Sequence, residues 1–202
     1  NTGAVNAFNG TTGKSLTVTG NITNNGVIDF SKGTATTNIL TLNGTNVQTI
    51  SGSGTFTDGI IRNLTFNNTS TATPNVNWEF NNLSIGGTLT FTAGKVALGS
   101  NKMTLGSGTA TGTGAGAVGS LSYTAGGFTN GKFVRYWTAT GTGTSITSGT
   151  DPGATNGTSR YPFISAQGQQ RSAFVERSTA LAAGQLSCAY SDAATVSNGS
   201  IV

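Results

Sequence analysis

The stretch Leu40-Thr41-Leu42-Asn43-Gly44-Thr45-Asn46-Val47-Gln48-Thr49-Ile50 decides how this chain is read. In a strand, successive side chains alternate faces, so Leu40 and Leu42 share one face and Thr41 takes the other. Asn43-Gly44 then supplies residues that tolerate the left-handed backbone of a tight corner, and Val47/Ile50 begin a second short strand. The same hydrophobic–Thr/Ser–hydrophobic unit recurs as Leu16-Thr17-Val18, Leu64-Thr65-Phe66, Leu83-Ser84-Ile85 and Met103-Thr104-Leu105. Starting at residues 16, 40, 64, 83 and 103, the units are separated by 24, 24, 19 and 20 residues. A period in that range, built from strand-length pieces, is the signature of stacked coils.

The expected fold is therefore all-β. A β-solenoid (β-helix) of about five to six rungs occupies residues 1–128, and a small antiparallel β module occupies 129–202. Inward positions form the core: Leu16, Val18, Leu40, Leu42, Leu64, Phe66, Leu83, Ile85, Met103 and Leu105. The rungs continue through Ile22 with Val27/Ile28/Phe30, then Val47/Ile50 with Phe56, then Val76/Trp78/Phe80. Leu89/Phe91 and Val96/Leu98 follow Leu83/Ile85 in the fourth rung. Outward positions line up as a structural ladder of Thr17, Thr41, Thr65, Ser84 and Thr104. Asn43 and Asn67 stand on one flank, with Asn63 and Asn82 on the other. Columns of identical polar side chains can hydrogen-bond along such a stack. Coils about 4.8 Å apart make a rod on the order of 25 Å long. The fifth rung fades into the Gly/Thr run 108–114, and 138–159 reads as a Gly/Thr-rich loop. Gly131–Trp137, Tyr161–Ser165, Ser172–Arg177 and Gln185–Tyr190 are the strand candidates of the C-terminal module.

Composition narrows the function. More than half of the 202 residues are Gly, Thr, Ser or Asn, and only 8% are charged, against about 25% in ordinary globular proteins. Regular apolar spacing and a net charge of only +4 argue against disorder. Basic residues are spread singly along the chain, so no nucleic-acid footprint is present. No run of eighteen apolar residues predicts a membrane span. Asn1 is not an initiator Met and no basic-then-apolar leader follows it, so the sequence reads as a mature or excised chain.

Histidine is absent, which removes Ser–His–Asp and Cys–His catalysis and most zinc sites. A glycosidase needs two carboxylates flanking one bond, about 5 Å or about 6.5–9.5 Å apart. Asp58 and Glu79 lie about one coil apart, but Asp58 reads as a turn residue and Glu79 as an outward strand residue between Trp78 and Phe80. Asp151-Pro152-Gly153 reads as a plain turn, and no calcium loop or phosphate loop is present. Cys188 is the single cysteine. It alternates with Leu186 and Tyr190 on the inward face of a strand, as a buried structural thiol. No catalytic residue, metal ligand or cofactor is expected.

The strings Ile39–Phe56, Asn63-Leu64-Thr65-Phe66-Asn67-Asn68 and Gly87-Thr88-Leu89-Thr90-Phe91-Thr92-Ala93-Gly94 resemble the repeats of large secreted surface proteins of Bacteroidota exported by the type IX secretion system. There a Leu-x-Leu-x-Gly…Gln-x-Ile-x-Gly-x-Gly coil recurs beside Asn-Leu-Thr-Ile-Asn-Asn. Gly131–Trp137 and Arg160-Tyr161-Pro162-Phe163 are similar to the β module that follows such repeats. The resemblance implies an extracellular β-solenoid at the cell surface with adhesive or structural roles, and carries over no catalytic residue.

The expected function is thus a non-enzymatic structural protein, either a cell-surface adhesin segment or a filament subunit assembling through β-strand contacts. Its partners would be further copies or other surface proteins, with glycans as another partner class. The first dozen residues would cap the stack or be exchanged into a neighbour as an added strand. Two alternatives belong to other classes. A carbohydrate-binding module would use exposed aromatics, for which Tyr136, Trp137 and Tyr161 are the candidates. A β-helix polysaccharide-active enzyme would use Asp58 and Glu79. Ice binding would require two regular Thr columns. Only the first rung offers Thr17-x-Thr19, and the second column becomes Asn43, Asn67, Gly86 and Gly106.

Overall fold

The structure is a computed structural model. It describes residues 2–6, 14–31, 38–106, 119–137, 160–174 and 184–190, which are all-β and contain no helix. After β1 (Ala4–Asn6), the chain runs through tiers of three strand positions. The first full tier is β2 (Ser15–Val18), β3 (Ile22–Thr23) and β4 (Val27–Phe30). The second is β5 (Ile39–Leu42), β6 (Gln48–Ser51) and β7 (Thr55–Ile61), and the third β8 (Asn63–Asn67), β9 (Val76–Trp78) and β10 (Leu83–Ile85). In the fourth tier, β11 (Thr88–Ala93) is followed by a long β12 (Lys95–Leu105) that fills both remaining positions. The fifth repeats this with β13 (Ser120–Tyr123) and β14 (Gly127–Trp137). The short strands β15 (Arg160–Tyr161) and β16 (Ala173–Phe174) and the longer β17 (Gly184–Ala189) complete the described chain.

Tiers stack in parallel. The first stack is a five-stranded sheet, β2-β5-β8-β11-β13. The second runs β3-β6-β9 and on through the first halves of β12 and β14. The third runs β1-β4-β7-β10 and on through the second halves of β12 and β14. Because β12 and β14 belong to both, these two stacks merge into one ten-stranded sheet that curls strongly into a half-barrel. Bends in β12 and β14 make that possible. Gly99 (φ +61°) and Gly131 (φ +82°) lie at left-handed angles, and a Cβ on Gly131 would approach the Leu98 Cβ to 2.5 Å. Only glycine fits so close a crossing of two bent strands.

The core lies between the two sheets. Phe66, Phe91, Phe128, Phe133 and Tyr161 form a chain of aromatic contacts, with successive centroids 5.0, 5.1, 5.0 and 5.7 Å apart. All five rings are buried. In the first stack Leu40, Leu64 and Leu89 sit directly over one another with essentially no exposure. Each such leucine contributes roughly 1.5–3 kcal/mol by leaving water.

Pairing corrects the period read from the sequence. Leu16, Leu40, Leu64, Leu89 and Leu121 occupy equivalent positions in successive tiers. Leu83-Ser84-Ile85 and Met103-Thr104-Leu105 belong instead to the third stack, where they pair with each other. The shortened steps arose because two strings of one pattern lie in different stacks. The boundary expected at 128/129 falls inside β14, which pairs in parallel with β12 from Gly127 to Arg135 on both sides of that point. Among the described residues, antiparallel pairing enters where β17 pairs with β14, where β15 pairs with β16 and at the isolated bridge between Ile164 and Gln170. Val47, expected in the core beside Ile50, is 45% exposed, and the neighbouring Gln48 is buried in its stead. Val27 faces solvent too, whereas Ile28 and Phe30 are buried. The runs 108–114 and 138–159 lie outside the described residues.

Candidate functional site

The expected ladder splits in two. Thr17, Thr41 and Thr65 stand in register on the outer face of the first stack, and the column continues through Thr90 and Ser122. Ser84 and Thr104 pair with each other in the third stack, and Thr104 is buried. Of the inward residues, Leu40, Leu42, Leu64, Phe66, Leu83, Ile85, Met103 and Leu105 are buried, and Val18 is partly buried. Leu16 is 43% exposed, on the strand that ends this stack among the described residues.

Beside the Thr column, Asn67 Nδ2 donates to Asn43 Oδ1 at 2.7 Å, so these two asparagines do form a rung-to-rung link. The next register position is Ala93, at a bulge, so this second column is not a regular Thr column either. Asn63 and Asn82 do not stack. Asn63 Oδ1 accepts from Thr88 N and Asn82 Oδ1 from Lys102 N, each holding the tier above its own. The outer face is thus polar and uncharged along Thr17, Thr41, Thr65, Thr90 and Ser122.

Sequence reasoning missed a buried polar cluster at the corner between the first and second stacks. Gln48 Nε2 donates to the carbonyls of Val18 (3.0 Å) and Gly20 (2.8 Å) in the tier below. Its Oε1 accepts from Gly44 N and from Asn68 Nδ2 of the tier above. Asn75 Nδ2 donates to Asn68 O and Ser70 O, while its Oδ1 accepts from Lys95 N one tier further on. Strand β3 has only two residues, so Gln48 overhangs a turn and satisfies that turn's carbonyls with its side chain. The available signal was a glutamine two residues before Ile50, on the same inward face of its strand.

The two ends of the stack are built differently. At the C-terminal end every stack is covered. Antiparallel β17 lies on β14, with Phe133 opposite Cys188. Phe128 N donates to Pro162 O and Ile164 N to Phe128 O, which closes the second stack. Over the first, the Arg160 guanidinium sits 4.1 Å from the centroid of Tyr123 and 4.8 Å from that of Phe174. Arg160 Nη1 donates to Ser172 Oγ, and the Tyr123 hydroxyl bonds to Gln170. Arg135 stands in register between Leu105 and Leu186 and donates to Arg160 O. Burial lowers Arg135 to about 10, and the neighbouring Tyr161 opposes that shift. Tyr123 is raised by burial, against the opposing charge of Arg160. At the N-terminal end β1 lies on the third stack, with Val27 N donating to Gly3 O. Among the described residues the first stack ends on β2 and the second on β3.

The residues of the alternative readings are separated or covered. Asp58 is exposed on a bulge of β7 at φ +57°, in the third stack. Glu79 is exposed just after β9, in the second stack. Tyr161, a candidate sugar platform, is fully buried, a correction that follows from its packing on Phe133. Tyr136 and Trp137 lie on β14, paired with Gln185 and Gly184. Cys188 is only partly buried, because β17 is the outermost strand, and burial raises its thiol above the ordinary range. Among the described residues no three His, Cys, Asp or Glu side chains come together, and no helix is long and apolar enough to cross a membrane. No protein-family model, curated protein or solved structure matches the chain.

Proposed function

We propose that the tiers are coils of a β-solenoid and that this is a non-enzymatic, extracellular surface protein, acting as an adhesin segment or filament subunit through β-strand contacts. The observation that carries this reading is the in-register repetition of side chains from tier to tier: five leucines in one inward column, and Thr or Ser throughout the column beside it. Such columns give a stiff, uncharged body stabilised by nearest-neighbour contacts, which suits a spacer or fibre. The sequence supports it by lacking histidine and carrying six acids in 202 residues. The likeness of its repeats to Bacteroidota surface proteins supports the location.

Electron microscopy of the full chain, before and after dilution, tests the reading. Filaments that persist on dilution, or discrete rods on the order of 25 Å long for five tiers, agree with it. Compact spheres would overturn the solenoid. Turnover of a polysaccharide that disappears in Asp58→Asn or Glu79→Gln would overturn the non-enzymatic assignment.

A further inference from the structure

We propose that Asp58-Gly59 is a site of covalent self-modification, at which the aspartate converts through a cyclic imide to isoaspartate without an enzyme. The site lies on one bulge of β7 and acts whatever function the tiers serve.

The chemistry needs the Cγ of an Asp or Asn, a following main-chain nitrogen that can reach it, and room to turn. Glycine in the following position suits it, having no Cβ to block the approach and the widest backbone freedom. Four Asn-Gly or Asp-Gly pairs fall among the described residues, at 25–26, 43–44, 58–59 and 130–131. Three of them are held. Asn25 Oδ1 accepts from Ser53 N at 3.0 Å, and Gly26 N donates to Asn24 Oδ1. Asn43 Oδ1 accepts from Asn67 Nδ2, while Gly44 N donates to Gln48 Oε1 at 2.8 Å. Asn130 Oδ1 accepts from both Leu98 N and Gly99 N. Each of these asparagines would have to give up a bond to another tier before its Cγ could turn to the glycine nitrogen.

Asp58-Gly59 is the open pair. Both residues are exposed, and a Cβ placed on Gly59 would meet nothing within 4 Å beyond its chain neighbours. The Asp58 carboxylate forms no hydrogen bond or ion pair with another described residue. Strand β7 leaves both of its registers here. Its pairing with β4 passes from Phe56 to Ile61, and its pairing with β10 begins at Ile60. Both residues take left-handed angles, φ +57° and +65°, which an aspartate holds only at a cost. Rotation of Asp58 toward Gly59 N therefore breaks no side-chain contact and leaves an unfavourable conformation.

The atoms balance with water alone. Gly59 N bonds to Cγ of the protonated Asp58 carboxyl, one Cγ–O bond breaks, and that oxygen leaves as water with the amide proton. A water molecule then opens the ring. Addition at the Asp58 main-chain carbonyl breaks its bond to nitrogen. The chain then runs through Cβ and Cγ to Gly59, and the former main-chain carbonyl carbon becomes a free carboxylate. Addition at Cγ returns aspartate. The added main-chain atom falls inside the bulge, where the register is already offset.

The test incubates the full chain at neutral pH, folded and in urea. Isoaspartate is labelled by methyl transfer from S-adenosylmethionine with an isoaspartyl methyltransferase and located by peptide mass spectrometry. In urea Asn25, Asn43 and Asn130 should react before Asp58, because an amide is attacked more readily than a carboxylate. Folding should invert that order and place isoaspartate at Asp58 first. Asp58→Glu keeps the charge but would have to close a larger ring, and should abolish the signal there. Gly59→Ala should slow it, since the new Cβ blocks the nitrogen. An unchanged far-UV circular dichroism spectrum shows that each variant still folds. Reaction of Asn25, Asn43 or Asn130 ahead of Asp58 in the folded chain would overturn the proposal. So would an Asp58 that reacts only in urea, or an equal rate in Gly59→Ala.

Discussion

At the residue scale, the same side chain takes different roles by its place in a tier. Gln48 is polar in an apolar position, yet its amide makes four hydrogen bonds linking three tiers. Gln48→Leu keeps the volume and strands those partners, so a loss of roughly 1–3 kcal/mol is expected per buried group left unpaired. Urea unfolding against the wild type measures it. Gly54 packs its backbone onto the carbonyl of Gly26, where an added Cβ would fall well inside contact distance. Both atoms are main chain and cannot swing away, so Gly54→Ala should cost about 1–3 kcal/mol, read as a lowered melting temperature. Cys188 gives a pH test. Its thiol is raised by burial, so the folded state holds that proton to higher pH than the unfolded chain does. The contribution is complete below the unfolded value, ordinarily about 8.5, and is lost as pH rises through the higher folded value. Alkylation rate against pH should have its midpoint above that of the urea-unfolded chain, and coincident midpoints would refute the burial effect.

At the element scale, strand length sets what each side chain must do. Short β3 leaves a turn that Gln48 has to cover, whereas long β12 and β14 bend at glycine and join two stacks into one curled sheet. The clasp formed by β15, β16 and Arg160 closes the first stack at Tyr123. Arg160→Ala removes the guanidinium from between two rings, and amides of β13 should then exchange faster while those of β5 stay unchanged. Equal acceleration in both would mean that the clasp stabilises the whole body rather than its end. Alternation and corner residues made the strands of 14–105 legible. The assignment of Leu83–Ile85 to a stack was not, because its pattern is indistinguishable from that of Leu64–Phe66 and only hydrogen bonding separates them.

For the whole molecule, the proposed solenoid predicts a stability that approximates a sum of tiers and their interfaces. Leu40 lies between Leu16 and Leu64 and is buried, whereas Leu16 is 43% exposed. Leu40→Ala should therefore cost about 2–5 kcal/mol, as for a closed core, and Leu16→Ala clearly less. Hydrogen exchange should show β8 among the slowest strands and β2 among the fastest, a gradient that a uniformly cooperative unit would lack.

The sequence by itself determined the all-β class, the inward and outward faces, and the chemistry that is missing, since alternation and residue type are local properties. It placed Leu40, Leu64 and Phe66 in the core and Thr17, Thr41 and Thr65 in one column for the same reason. Only the tertiary structure decided which repeated strings share a stack, that Leu89 and not Leu83 follows Leu64, that Leu16 is exposed while Tyr161 is covered, and that Arg135 and Gln48 are buried in register with apolar residues. These depend on pairing across twenty to thirty residues, where strands of one local pattern compete and the satisfaction of every backbone and side-chain polar group selects the register.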